Sequence, residues 1–165
     1  MEDKMFDDFG PERIVELYHP KSGMHGFIVI DNTALGPGKG GIRFILGDVL
    51  SSVSSTSTKE YCIYSATKAS EDINNAYPDY TKDRIKKRIK VKVISLVKGG
   101  DTHGLDERRW LGTNNVSATY IFIYSGKCAF ISRDAQGTPV GVIIENKMIF
   151  ETQKIIFKEL WKKLK

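Results

Sequence analysis

Short apolar runs alternate with segments of helical spacing from about residue 45 to the end of the chain. This alternation is the feature that most constrains the fold. The apolar runs fall at residues 60–64, 91–97, 119–124, 128–131 and 139–144, and the helical segments at 66–75, 81–89 and from 147 onward. Strands interleaved with helices are typical of domains in which helices pack on a sheet. We therefore expect an α/β domain, or an α+β domain, over residues 45–165.

Two local signals support this pattern at the end of the chain. Ser125-Gly126-Lys127 separates two apolar runs, which predicts a hairpin with glycine in its turn. Asn146 is a suitable N-cap for a terminal helix, and the large apolar residues that follow share one helical face. That face predicts either packing on the core or a homodimer contact through the C-terminal helix.

The first 44 residues have a different texture and predict a short helix, a strand and a loop. The helix is expected from Pro11 to Tyr18, the strand at residues 27–30, and the loop at the Gly- and Pro-rich run 36–41. Apolar residues then recur at helical spacing from Ile45 to Val53. The sequence thus divides into an N-terminal segment, 1–44, and a larger domain, 45–165.

Composition and rare residues indicate a soluble intracellular chain. No apolar run reaches the roughly 18 residues of a membrane span, and the acidic start is unlike a signal peptide, so we expect a cytoplasmic protein without membrane contact. Cys62 and Cys128 each have apolar and aromatic neighbours, which favours buried thiols in a reducing compartment. The three histidines have no metal-ligand spacing, and we expect neither a metal nor a cofactor.

The N-terminal segment resembles the opening of the glutamate/leucine/phenylalanine/valine dehydrogenases. Phe6-Asp7-Asp8-Phe9-Gly10-Pro11-Glu12 and the later run of residues 26–44, with Gly36-Pro37-Gly38-Lys39-Gly40-Gly41-Ile42-Arg43, carry this resemblance. It implies that Lys39 and Gly40 belong to a pocket for an amino-acid substrate of the glutamate type. The family's catalytic lysine, catalytic aspartate and dinucleotide-binding loop do not follow after residue 44, so an active dehydrogenase is not expected.

The larger domain resembles the phospholipase-D-like regulatory domain of the TrmB-type archaeal transcription regulators. Lys59-Glu60-Tyr61-Cys62-Ile63, the run of residues 77–94, the hairpin at 121–131 and the ending from Gly141 carry the resemblance, in the family's order. It implies a phospholipase-D-like mixed sheet flanked by helices, and a role in ligand sensing or transcription regulation. No winged helix is visible, so the chain is expected to act through a partner regulator, a homodimer or a contact with DNA phosphates.

Phosphodiester hydrolysis in the phospholipase D superfamily requires a His-x-Lys pair and an aspartate further along the chain. The strand that matches, residues 117–124, has no histidine, lysine or aspartate. We therefore assign no catalytic residue and expect that the domain is not an enzyme. His103 lies outside this motif in a charged Gly-rich loop, where a solvated surface histidine is expected.

A basic run occupies residues 82–92, with seven cationic residues against the single acid Asp83. If this run is helical, then Arg84, Lys87 and Arg88 share a face, while Ile85 and Ile89 mark the buried side. Such a face predicts either an anion-binding or nucleic-acid-binding site, or a charged surface that only meets solvent.

Two functional hypotheses follow. The first is a non-catalytic ligand-sensing or regulatory domain preceded by a dehydrogenase-like segment. The alternative is a truncated relative of a glutamate-type dehydrogenase that binds its substrate through Lys39 and Gly40.

Overall fold

The structure is a computed structural model that describes residues 13–21, 23–30, 40–100, 102–112, 119–135 and 137–164. Its elements in chain order are β1 (Arg13–His19), β2 (Met24–Ile30), α1 (Gly40–Ser54), β3 (Glu60–Ser65), α2 (Thr67–Ala76), α3 (Tyr80–Lys86), β4 (Lys90–Ser95), β5 (Asp106–Trp110), β6 (Tyr120–Tyr124), β7 (Lys127–Arg133), β8 (Pro139–Glu145) and α4 (Lys147–Lys163).

These strands form one mixed sheet in the order β1-β2-β8-β7-β6-β3-β4-β5. The pairs β3–β4 and β4–β5 are parallel, and every other neighbouring pair is antiparallel. The expected α/β architecture, with helices flanking a mixed sheet, is therefore confirmed.

Two predictions from local sequence, the hairpin turn and the helix cap, are confirmed. The β6–β7 hairpin turns through Ser125 and Gly126, which both have positive φ angles, 45° and 83°, as a tight two-residue turn requires. Asn146 caps α4, because its Oδ1 accepts hydrogen bonds from the backbone N–H groups of Met148 and Ile149, both at 3.0 Å.

The helices cover the two sides of the sheet with separate apolar clusters. On the first face, α1, α2 and α3 pack against strand residues that include Tyr61, Val93 and Phe122. On the second face, α4 packs against Ile123 and Cys128, with Phe157 at the centre of the cluster. Alternate residues of one strand therefore serve different helices.

The predicted N-terminal helix is wrong. The described part of that segment is β1, which pairs antiparallel with β2, from Arg13 opposite Ile30 to His19 opposite Met24. The apolar residues of this short segment fit both a helical and a strand periodicity. Ile14 and Val15 are β-branched, which favours a strand, and pairing with β2 stabilises it. The predicted loop 36–41 is also wrong at its end, since Gly40 and Gly41 lie in the first turn of α1.

The structure differs from expectation at two further places. Helix α3 is shorter than predicted and ends at Lys86. Strand β5, with the charged sequence DERRW, was not predicted, because an edge strand that pairs through its backbone on one side does not need an apolar run.

The N-terminal strands join the main sheet, because β2 pairs with β8. Helix α1 spans the proposed boundary at residues 44 and 45. The division of the chain into two domains remains a prediction.

The two thiols lie under α4. Cys128 is buried and Cys62 partly buried, and both are free. Burial raises the pKa of each thiol to about 11, so both stay protonated at neutral pH. Among the described residues, no helix has the length and apolar character needed to cross a membrane.

The packing of α1 on β8 gives the first testable prediction. A Cβ added at Gly141 would overlap Cδ1 of the fully buried Ile45, so Gly141→Ala should lower the free energy of unfolding by about 1–3 kcal/mol. The matched control is Gly47→Ala in α1, where the added methyl meets no atom within 4 Å and helix propensity predicts a gain of up to about 1 kcal/mol. Urea denaturation measures both. A neutral Gly141→Ala would contradict the packing.

Candidate functional site

A cavity of about 350 Å³ lies on the first face of the sheet, under the chain segments that connect the parallel strands. Parallel neighbours need crossover connections, and here α2 and α3 connect β3 to β4. Residues 96–105 connect β4 to β5, and those that the structure describes form no helix. We call residues 96–105 the crossover loop. Its Gly100 and His103 line the cavity together with residues of the sheet, α2 and α3, namely Tyr61, Ile63, Ser65, Ile73, Asn74, Tyr80, Thr81, Arg84, Val91, Val93, Asp106, Arg108, Tyr120 and Phe122.

Arg84 holds the crossover loop in place. Its side chain is buried, and its guanidinium donates hydrogen bonds to the carbonyl oxygens of Gly104 at 2.9 Å, Leu105 at 3.2 Å and Ile89 at 2.9 Å. A loop cannot satisfy its own carbonyls as a helix does, so a buried charge with several donors takes that role.

Further bonds fix the rest of the crossover loop. The indole Nε1 of Trp110 donates to the carbonyl oxygen of Gly99 at 3.1 Å, and the backbone N–H of His103 donates to Oδ1 of Asp106 at 2.8 Å. The loop therefore has a defined shape above the cavity.

A pair of buried phenols forms part of the cavity wall. The hydroxyl of Tyr80 donates to the hydroxyl of Tyr61 at 3.0 Å. Burial raises the pKa of Tyr61 to about 12 and that of Tyr80 well above its usual value, so both phenols are neutral at physiological pH. Since Tyr61 accepts this bond, its own proton can be donated to another acceptor.

Arg108 enters the cavity from β5. Its Nε is buried and has no hydrogen-bond partner among the residues that the structure describes. The guanidinium lies under Gly100, where an added Cβ would be 2.9 Å from Nη1 of Arg108. Strand alternation sends the next residue, Arg109, to the second face, where it lies over the ring of Trp161 and donates to the carbonyl oxygen of Leu164 at 2.7 Å.

The shared cationic face predicted for the basic run is not formed. Arg84 is buried against carbonyl oxygens, whereas Lys87 caps the end of α3 and Arg88 follows it with φ at 58°. Ile89 is buried as predicted, but Ile85 is 36% exposed. The reason is that α3 ends before Lys87, so the helical spacing no longer relates the three cations. Anion binding by Lys87 and Arg88, both exposed, remains a prediction.

The other predicted site lies mostly outside the described residues. Of the two residues predicted for it, Lys39 lies outside the described residues, and Gly40 is the first residue of α1. The substrate pocket implied by the dehydrogenase resemblance therefore remains a prediction. His103 is exposed, as expected, and it also lines the cavity.

Sequence reasoning did not identify Arg108 or the phenol pair as site residues. The alternation of strands and helices could have indicated parallel strands. Parallel strands require crossover connections, and these connections cover the face of the sheet on which the cavity lies. Within the described ranges, no group of three or more histidine, cysteine, aspartate or glutamate side chains is placed to hold a metal ion.

Comparison with known proteins rests on structure alone. No protein-family model matches the sequence, and no curated protein matches it. Eleven chains of solved structures are similar to this chain. One is NucT from Helicobacter pylori, with a TM-score of 0.52 and 12% identity over 86% of this chain and 96% of NucT. This likeness shows the fold alone, and the expected mixed sheet flanked by helices is confirmed.

Two further structures are less similar. TrmBL2, an archaeal chromatin protein with a novel mode of DNA binding, has a TM-score of 0.49 and 14% identity over 93% of this chain. This chain spans 55% of the TrmBL2 chain. Nuc from Salmonella typhimurium, a phospholipase D family member, has a TM-score of 0.44 and 16% identity over 71% of this chain and 86% of Nuc.

The role of Arg84 gives the second prediction. Arg84→Gln should lower the free energy of unfolding by about 3 kcal/mol, because a hydrogen bond to a charged donor contributes roughly 1.5–3 kcal/mol. The carbonyl of Gly104 would lose its guanidinium donor, and that of Leu105 would keep only the backbone N–H of Val91. Arg88→Gln, an exposed change in the same run, should stay within about 0.5 kcal/mol. Chemical denaturation measures both. Equal effects would mean that Arg84 does not hold the loop.

Proposed function

We propose that this chain is a non-catalytic ligand-sensing or regulatory domain, and that its ligand binds in the cavity under the crossover loop. The observation that carries the proposal is the cavity itself. Its volume lies within the range of about 300–1,000 Å³ that small-molecule sites occupy, and its walls combine apolar side chains of the sheet with polar and charged groups that can orient a ligand.

The groups that line the cavity favour binding over catalysis. By its resemblance in sequence, strand β6 would correspond to the catalytic strand of the phospholipase D superfamily, and it contributes Tyr120 and Phe122 to the cavity. The phenols of Tyr61 and Tyr80 stay protonated, so neither is a nucleophile or a general base near neutral pH.

The construction of the cavity also fits a sensor. A ligand in it would contact α2, α3 and the crossover loop together, and any difference in affinity between two loop positions would shift their populations. Met148, Ile155 and Ile156 on α4 are exposed, which supports a partner or a second copy of the chain at that helix.

A pair of matched variants tests the cavity as the ligand site. Asn74 lines the cavity and the adjacent Asn75 does not, although both are exposed on α2. We expect a screen of nucleotides, sugar phosphates and carboxylic acids by thermal shift to give at least one ligand. Asn74→Trp should weaken its binding about tenfold or more by filling the space, and Asn75→Trp should not.

Three results would contradict these proposals. Binding that survives Asn74→Trp would place the ligand elsewhere, and a screen without any ligand would contradict the sensing role. Cleavage of a chromogenic phosphodiester by the purified protein, lost together with ligand binding in Asn74→Trp, would contradict the non-catalytic role.

Contact with nucleic-acid phosphates is the second candidate function. Lys86, Lys87, Arg88 and Lys90, here called the basic corner, are all exposed. Nearby Lys82 pairs with Asp79 at 3.8 Å and Lys92 with Glu60 at 3.1 Å, whereas the part of the chain that the structure describes records no ion pair for the basic corner. Clustered cations without carboxylate partners favour binding to a polyanion.

Salt dependence tests the basic corner. If Lys86, Lys87 and Arg88 each neutralise a phosphate, replacing all three with Gln should reduce the slope of log K against log salt by about 0.9 per contact on duplex DNA. The control replaces Lys147, Lys158 and Lys163 on α4, which are exposed and carry the same total charge. Fluorescence anisotropy with a duplex measures both slopes. Equal slopes would reduce the basic corner to a solvated surface.

A further inference from the structure

We infer that the cavity receives an anionic group, a carboxylate or a phosphate, and that Arg108 binds it. This inference names the class of ligand for the cavity and rests on its proposed function as the ligand site. It adds a binding role for a residue of the edge strand.

The hydrogen bonding of Arg108 differs from that of comparable arginines. Arg84 donates to three carbonyl oxygens, and Arg133 forms a two-pronged pair with Asp72, with Nε at 2.9 Å from Oδ2 and Nη2 at 2.7 Å from Oδ1. Arg108 has the same planar fork, yet its buried Nε has no partner among the described residues. A buried donor without an acceptor is costly, and the fork matches a carboxylate or a phosphate.

The guanidinium of Arg108 is positioned by its surroundings. Strand β5 pairs in parallel with β4, with Arg108 opposite Val93, so the side chain projects over the first face. Gly100 lies against the guanidinium with φ at 85°, and a side chain there would displace Nη1. The crossover loop thus covers the arginine while leaving the cavity below it open.

The other polar groups of the cavity are compatible with an anion. Tyr61 is a neutral donor, and Asn74 and Thr81 add an amide and a hydroxyl. Among the lining residues that the structure describes, Asp106 is the one carboxylate, and its Oδ1 already accepts the N–H of His103. The volume equals about a dozen water molecules at roughly 30 Å³ each, which fits a small metabolite.

The test observes the Nε–H signal of Arg108 by NMR during separate titrations with inorganic phosphate and with acetate, at constant ionic strength. The signal is assigned by its loss in Arg108→Gln. We expect a saturable shift with at least one probe, weakened about tenfold or more in Arg108→Lys, which keeps the charge and loses the fork, and abolished in Arg108→Gln when binding is followed by calorimetry. Arg13→Gln is the control, since Arg13 is exposed on β1 at the opposite end of the sheet order, and it should bind as the parent does.

A shift with phosphate alone or with acetate alone identifies the anion. No shift with either probe at millimolar concentration, or equal affinity in Arg108→Gln, would overturn the inference. A cavity that binds ligands sensitive to Asn74→Trp but not to Arg108→Gln would refute this inference while leaving the proposed function intact.

Discussion

The parallel pairing of β3, β4 and β5 is the constraint on which the rest of the structure depends. Each parallel step obliges the chain to travel back along the sheet before the next strand begins. The first return contains α2 and α3, which satisfy most of their own backbone groups. The second return is the crossover loop, whose described residues form no helix and need outside donors. The cavity is the space that remains between these two returns and the sheet.

Arg84 and Arg108 illustrate how the same side chain serves two purposes in this arrangement. The guanidinium of Arg84 donates to two carbonyl oxygens at the end of the crossover loop and to that of Ile89 before β4, so its donors hold the backbone. Arg108 lies on a strand rather than a helix, Gly100 of the crossover loop packs against its guanidinium, and its Nε has no acceptor among the described residues. Arg84 thus stabilises the fold, and we propose that Arg108 recognises the ligand.

Much of the fold could be predicted from local patterns, because the elements involved are specified by their own residues. The turn at Ser125 and Gly126 and the cap at Asn146 depend on neighbours within four positions. β1 could not be predicted, since its residues 14–18 suit both a helix and a strand until β2 is present. The role of Arg84 was equally hidden, because its acceptors at Gly104 and Leu105 lie some twenty residues away and belong to a loop.

Strand β5 connects the cavity with the second face of the sheet. Because side chains alternate along a strand, Arg108 faces the cavity while Arg109 binds the last turn of α4 through the carbonyl oxygens of Trp161 and Leu164. Among the described strands β5 pairs with β4 alone, and an edge strand is held less firmly than a central one. If the proposed ligand displaced β5, the contacts of Arg109 would carry that movement directly to the end of α4.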